Sequence, residues 1–137
     1  MSVARIRARD GIELHVESYG DGPPIVFSCG YSTTRENFRP QVEPLVAAGH
    51  RVLLWDYRGH GDSDAPDDPD AYSFDLVLDD LGRVLDWGAP KTPAVLAGFS
   101  FGGALSLHFA LRHPERVRAL VLIDPMKSSA STLPLDS

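Results

Sequence analysis

The sequence predicts an α/β domain in which a mostly parallel sheet carries helices on both faces. Three observations lead there. From residue 25 onward, short apolar runs alternate with amphipathic stretches as strand, helix, strand, helix, strand, helix, strand, the order that right-handed parallel crossovers produce. The apolar runs are unbroken, as in strands buried on both faces. The chain has 137 residues, 43% of them hydrophobic and 23% charged, which suits one globular core and is too short for two ordinary ones.

Taken in order, Val3 to Ala8 and Ile12 to Ser18 alternate like strands, and Asp10-Gly11 between them is a hairpin signal. Gly20-Asp21-Gly22-Pro23-Pro24 breaks the chain before a strand at Ile25-Val26-Phe27. Phe38, Val42, Leu45 and Val46 recur at helical spacing and Gly49 ends that helix, although Pro44 leaves its start undefined. Val52 to Trp55 is the next buried strand, followed by a long polar loop. Ser73 is a natural N-cap, with Asp75 favourable in the first turn, for a helix carrying Val77, Leu81, Val84 and Leu85 on one stripe and reaching Gly88. Ala94 to Ala97 is a strand, Gly102 to Arg112 a helix stopped by Pro114, and Val117 to Ile123 a strand closing on Asp124-Pro125. Residues 1–125 thus form one domain portion, and 126–137 an irregular tail.

Charge and composition exclude several functions. The net charge of −6 argues against nucleic acid or an anionic membrane as partner. Asp62, Asp64, Asp67, Asp68 and Asp70 read as a solvated loop; they lack the glycine and terminal glutamate of a calcium site. A single cysteine, Cys29, rules out an internal disulfide and a multi-cysteine zinc site. The N-terminus alternates apolar and basic residues, unlike a signal peptide, and no apolar run approaches membrane-spanning length. A cytoplasmic protein without metal or cofactor is expected.

The chemistry concentrates at Gly98-Phe99-Ser100-Phe101-Gly102, where a buried strand meets a helix. A serine held on a tight turn needs neighbours without side chains, so that strand and helix can approach closely. Gly98 and Gly102 meet that need, and Gly103-Ala104 keep the helix start slim. The helix N-terminus aims free N–H groups and positive dipole at the place where an oxyanion would form.

This pentapeptide resembles the nucleophile elbow of the α/β-hydrolase superfamily. The resemblance covers nearly the whole chain. Pro24 to Tyr31 is similar to the third strand and oxyanion loop, Trp55 to Ser63 to the Asp-x-Arg-Gly-His-Gly-x-Ser stretch, and Arg116 to Asp124 to the sixth strand. The esterase, lactonase and cofactor-free perhydrolase branch is the most similar. The resemblance implies that Ser100 attacks an acyl carbon of a small ester-like substrate, and that the backbone N–H groups of Tyr31 and Phe101 form the oxyanion hole. Serine at the elbow speaks against haloalkane dehalogenases and epoxide hydrolases, which carry aspartate there. Cys29 stands where the family usually has histidine.

No base is evident. The superfamily order is nucleophile, acid, histidine, and only His108 and His113 follow Ser100. Both belong to the helix that begins at the serine, about 12 and 20 Å along it at 1.5 Å per residue. His15 lies mid-strand and His50 at the wrong edge of the sheet. His60 is at the correct edge but within the loop motif; it stays open as a base in a rearranged site. Asp124 ends a strand where some relatives place the acid, and Cys29 is a weaker nucleophile candidate.

Two functions follow as expectations. One is a serine hydrolase whose histidine comes from a C-terminal segment or a second chain; the other is a non-catalytic binding module of the same fold. On the resemblance, the later strands and any cap are absent, so Leu120 to Ile123 would be an apolar edge prone to oligomerisation or to pairing with a complementing chain.

Overall fold

The computed structural model describes residues 1–123; Asp124 and the expected tail at 126–137 lie outside the described residues. The chain starts as the predicted hairpin of β1 (Ser2–Arg7) and β2 (Glu13–Tyr19). Its turn closes through the Ala8 N–H donating to the Ile12 carbonyl at 2.8 Å. Then come β3 (Pro24–Ser28), α1 (Arg39–Ala47), β4 (Arg51–Trp55), α2 (Phe74–Gly88), β5 (Ala94–Phe99), α3 (Phe101–Arg112) and β6 (Val117–Ile123). Every strand and helix expected from the sequence is present, with ends displaced by a residue or two.

The sheet runs β1-β2-β4-β3-β5-β6. β2 is antiparallel to β1 and β4, and the pairs from β4 to β6 are all parallel. Between β3 and β5 the crossovers change direction, since β3 continues to β4 on one side and β5 to β6 on the other. Right-handed connections therefore place α1 on one face and α2 and α3 on the other. The packing agrees: α2 and α3 touch each other, while α1 packs on β4. Leu14, Val16, Val26, Val52, Leu53, Leu54 and Trp55 are wholly buried, as expected of interior strands covered on both faces.

Two local features depart from the periodic pattern. A 3₁₀ turn at Arg35–Phe38 precedes α1, capped by Thr34, whose hydroxyl accepts from the Glu36 N–H at 3.3 Å. Pro40 sits where a missing N–H costs nothing, whereas Pro44 lies inside the helix and removes one bond, leaving a short α1. By contrast α2 has the predicted cap, with Ser73 Oγ accepting from the Leu76 N–H at 3.2 Å.

The acidic loop after β4 is more engaged than a solvated loop. Asp64 accepts from Arg5 at 2.6 Å and from the Glu13 N–H at 2.8 Å, tying the loop to the hairpin. Beneath it Arg58, 1% exposed, donates to both oxygens of the buried Asp80 at 2.7 and 2.8 Å and to Asp10. This buried guanidinium pins the loop to α2, and its planar fork is fully matched, as a charge in a dry interior requires.

At the far edge β6 pairs with β5 alone among the described residues. Its Val121 and Ile123 are 46% and 41% exposed. Among the described residues no helix is long and apolar enough to cross a membrane.

Candidate active site at the β5–α3 turn

The strand order places a crevice between β3 and β5 at their carboxyl ends, the position at which α/β sheets bind ligands. Ser100 stands there, on the residue between β5 and α3. Its backbone is at φ 55° and ψ −114°, a region that side chains other than glycine rarely occupy. Such strain persists only where the surroundings impose it. Here the glycines do so: a Cβ on Gly102 would strike the Ser28 carbonyl, and one on Gly98 the Gly102 carbonyl. Strand, helix and neighbouring strand are packed backbone to backbone around the serine.

Ser100 is the N-cap of α3, yet its hydroxyl makes no capping bond. The side chain instead lines a cavity of about 390 Å³ together with Tyr31, Tyr72, Phe74, Val77 and Phe101. Apart from the serine, the walls are aromatic and aliphatic.

The rings of Tyr31 and Phe101, the two residues expected to donate backbone N–H groups, meet edge to face at 5.1 Å. Phe101 opens α3, so its N–H has no partner within the helix. Among the described residues the Tyr31 N–H likewise donates to no backbone acceptor. Gly30 is pressed against the turn, for a Cβ there would lie 3.6 Å from that of Ser100. Tyr57 fixes the preceding residue by donating to the Cys29 carbonyl at 2.5 Å. Cys29 itself is wholly buried and burial pushes its thiol up to about 11, so it is not a nucleophile at neutral pH.

The histidines are occupied or distant. His60 uses both ring nitrogens, Nε2 with the Ser32 N–H and Nδ1 with the Arg58 carbonyl, each at 3.0 Å. It is therefore not free to act as a base. His15 is bound to Glu17, His108 lies on the outside of α3 against Phe74, and His113 packs on Phe109. Asp124 lies outside the described residues.

A larger groove of about 560 Å³ runs between α2 and α3, but it is a charged surface on which three of the lining arginines are paired. Arg83 pairs with Asp79, Arg112 with Asp75 and Arg116 with Asp86.

Beside the loop that follows β3 lies a network centred on Glu17, 4% exposed. Its oxygens accept from Tyr19 at 2.6 Å, Arg35 at 2.6 Å and Arg39 at 3.0 Å, and one meets His15 Nε2 at 2.7 Å. Arg35 also pairs with buried Asp56, whose Oδ1 accepts from the Arg35 N–H at 2.9 Å, and with Asp62. Burial pushes the Glu17 carboxyl up, but the hydrogen bonds from Tyr19, His15, Arg39 and Arg35 outweigh it and bring it to about 2 from 4.5. A depressed carboxyl contributes stability that is complete above its unfolded value and vanishes as pH falls through its folded value. Urea midpoints are therefore expected to decline between pH 4.5 and about 2, and Glu17→Gln to flatten that part of the curve.

Of the residues that line this cavity, Ser100, Tyr31 and Phe101 are the ones the sequence singles out, whereas Tyr72, Phe74 and Val77 complete its wall without being singled out as site residues. Tyr72 closes an unanticipated 3₁₀ turn, Pro69–Tyr72, and its hydroxyl donates to the Pro66 carbonyl at 2.6 Å. The two aromatic residues flanking the Ser73 cap were the available signal.

Comparison with known proteins agrees with this architecture. A family described as "alpha/beta hydrolase fold" matches residues 23–136. Bifunctional epoxide hydrolase 2 of Rattus norvegicus is 35% identical over 120 residues, covering 87% of this chain and 21% of its own. The AB hydrolase superfamily protein YfhM of Bacillus subtilis is 37% identical over 118 residues, covering 84% and 41%. An esterase structure from Exiguobacterium antarcticum superposes with a TM-score of 0.82 at 33% identity, over 89% of this chain and 45% of that one. The chain thus spans less than half the length of these relatives. With the elbow, the switch-point crevice and the matched family in agreement, this chain belongs to the alpha/beta hydrolase fold family.

Proposed function

We propose that the protein is a serine hydrolase of carboxylic esters. The observation that carries this reading is Ser100 itself, held at a positive φ on a turn with Gly98 and Gly102 two residues to either side, with its hydroxyl left uncapped beside an apolar cavity. Its oxygen attacks the ester carbonyl carbon while a base takes the hydroxyl proton. The carbonyl oxygen becomes an oxyanion, which the Tyr31 and Phe101 N–H groups receive. Collapse of that intermediate breaks the bond to the alcohol, which leaves with the proton, and water then cleaves the acyl-enzyme. The base is a histidine from outside the described residues, in the same or a complementing chain, and the exposed β6 edge is the surface on which that segment pairs. No cofactor takes part. We place the protein in the cytoplasm, where the lone thiol Cys29 stays reduced.

The epoxide hydrolases among the relatives favour a second reading, epoxide opening. The serine at the elbow favours the ester reading. A carboxylate opening an epoxide forms an ester, which water can release, whereas a serine oxygen would form an ether that it cannot. The test is a panel of p-nitrophenyl acetate, p-nitrophenyl butyrate and styrene oxide. Ester turnover with styrene oxide untouched is expected; epoxide hydrolysis that survives Ser100→Ala would overturn the assignment. Neither substrate consumed faster than in buffer would favour a non-catalytic binding module.

A further inference from the structure

We propose that His60 is a positioning residue that holds the oxyanion loop as a neutral imidazole of one fixed tautomer, a role that rests on the serine hydrolase reading. The residue belongs to the loop after β4, 28 positions from its partner Ser32. Ser32 has φ 68°, an unusual conformation for a residue with a side chain, directly after the proposed oxyanion donor Tyr31. The rest of the loop is tied mostly to itself: Thr33 N–H and hydroxyl both bond the Gly30 carbonyl, at 3.2 and 2.6 Å. At its tip, among the described residues, the bond to another segment runs from the Ser32 N–H to His60 Nε2 at 3.0 Å.

Both partners of the ring are of one kind. A backbone N–H can only donate, so Nε2 must offer its lone pair. A carbonyl can only accept, so the hydrogen must sit on Nδ1, 3.0 Å from the Arg58 oxygen. The neutral Nδ1–H tautomer satisfies both contacts, whereas the opposite tautomer satisfies neither and the imidazolium only one. Packing adds to the constraint. The His60 ring meets Tyr31 edge-on at 4.9 Å and Tyr57 at 5.8 Å, and Phe101 meets Tyr31 at 5.1 Å and Tyr57 at 5.5 Å. Four rings, from two loops and the first residue of α3, thus set the distance between Tyr31 and Phe101, whose N–H groups must converge on one oxygen. His60 supplies the only hydrogen bond in that box that reaches the loop tip among the described residues.

The test combines nitrogen NMR with kinetics on two variants. His60→Phe keeps a ring and removes the acceptor; His60→Gln restores an acceptor at the reach of Nε2. Long-range ¹H–¹⁵N correlation is expected to show the hydrogen on Nδ1, with a coupling between Nε2 and the Ser32 amide. In p-nitrophenyl butyrate hydrolysis, His60→Phe is expected to lower kcat by about 10- to 100-fold with KM changed by less than about 3-fold, because a loosened donor acts on the transition state. His60→Gln should recover most of that loss, and thermal melts of both variants confirm that the fold persists. A hydrogen on Nε2, or a His60→Phe variant with wild-type kcat, would overturn the proposal. If the wild type turns over no ester, the hydrolase reading fails on its own, and the NMR result still decides whether His60 locks the loop.

Discussion

Replacing Ser100 by alanine is expected to abolish ester turnover while leaving the protein folded. The hydroxyl makes no capping bond, so nothing structural is lost with it. Alanine meets the same strained backbone at φ 55° that serine does, and the shift in melting temperature should be small. Chemically the loss is total: with no nucleophile there is no acyl-enzyme, and only binding and the oxyanion donors remain. Removing the serine of such a site lowers kcat by about 10⁶-fold where this has been dissected, so a fall of at least about 10³-fold is the result that fits. Steady-state hydrolysis of p-nitrophenyl butyrate, with circular dichroism as the folding control, measures both halves.

Gly102→Ala is expected to do the opposite and destroy the fold rather than the chemistry. The added Cβ would overlap the Ser28 carbonyl oxygen and approach the Cys29 oxygen at 2.8 Å. These are backbone atoms of β3 and the loop that follows it, so no side chain can swing aside. Relief requires α3 to move away from β3, opening the core at Leu105 and Phe109. A loss of about 4 kcal/mol or more is expected, comparable with the whole stability of a small domain. Urea unfolding should show little or no native baseline. Gly82→Ala is the matched control: its Cβ would find only the Phe109 ring at 3.5 Å, and in mid-helix alanine is expected to be neutral or to stabilise by up to about 1 kcal/mol. Identical behaviour of the two variants would refute the steric account of the elbow.

Much of this architecture is legible in the sequence because it depends on neighbours. Strands show as runs such as Val52 to Trp55, the α2 cap as Ser73, and the elbow as Gly98 and Gly102 two residues either side of Ser100. What was not legible depends on pairs far apart. Nothing in the acidic loop announces that Asp64 answers Arg5 across 59 positions, or that Arg58 reaches Asp10 across 48. The same holds for Glu17, which looks like the solvent face of an alternating strand until Arg35 and Arg39 fold over it. The cavity wall escaped notice for a related reason. Tyr72 and Phe74 sit in a polar stretch where apolar residues carry no period, and their role appears only once α2 is set beside α3. The sequence places His60 in the loop at the carboxyl edge of β4, but only the structure shows its hydrogen bonds to the Ser32 N–H and the Arg58 carbonyl, which occupy both ring nitrogens.

The central claim is that Ser100 is the nucleophile, and covalent trapping tests it most directly. Treatment of the folded protein with a fluorophosphonate probe, followed by peptide mass mapping, is predicted to give one adduct on Ser100, lost in Ser100→Ala and matched by loss of ester turnover. An adduct on another residue at a comparable rate, or ester turnover that continues while Ser100 stays unmodified, would contradict it.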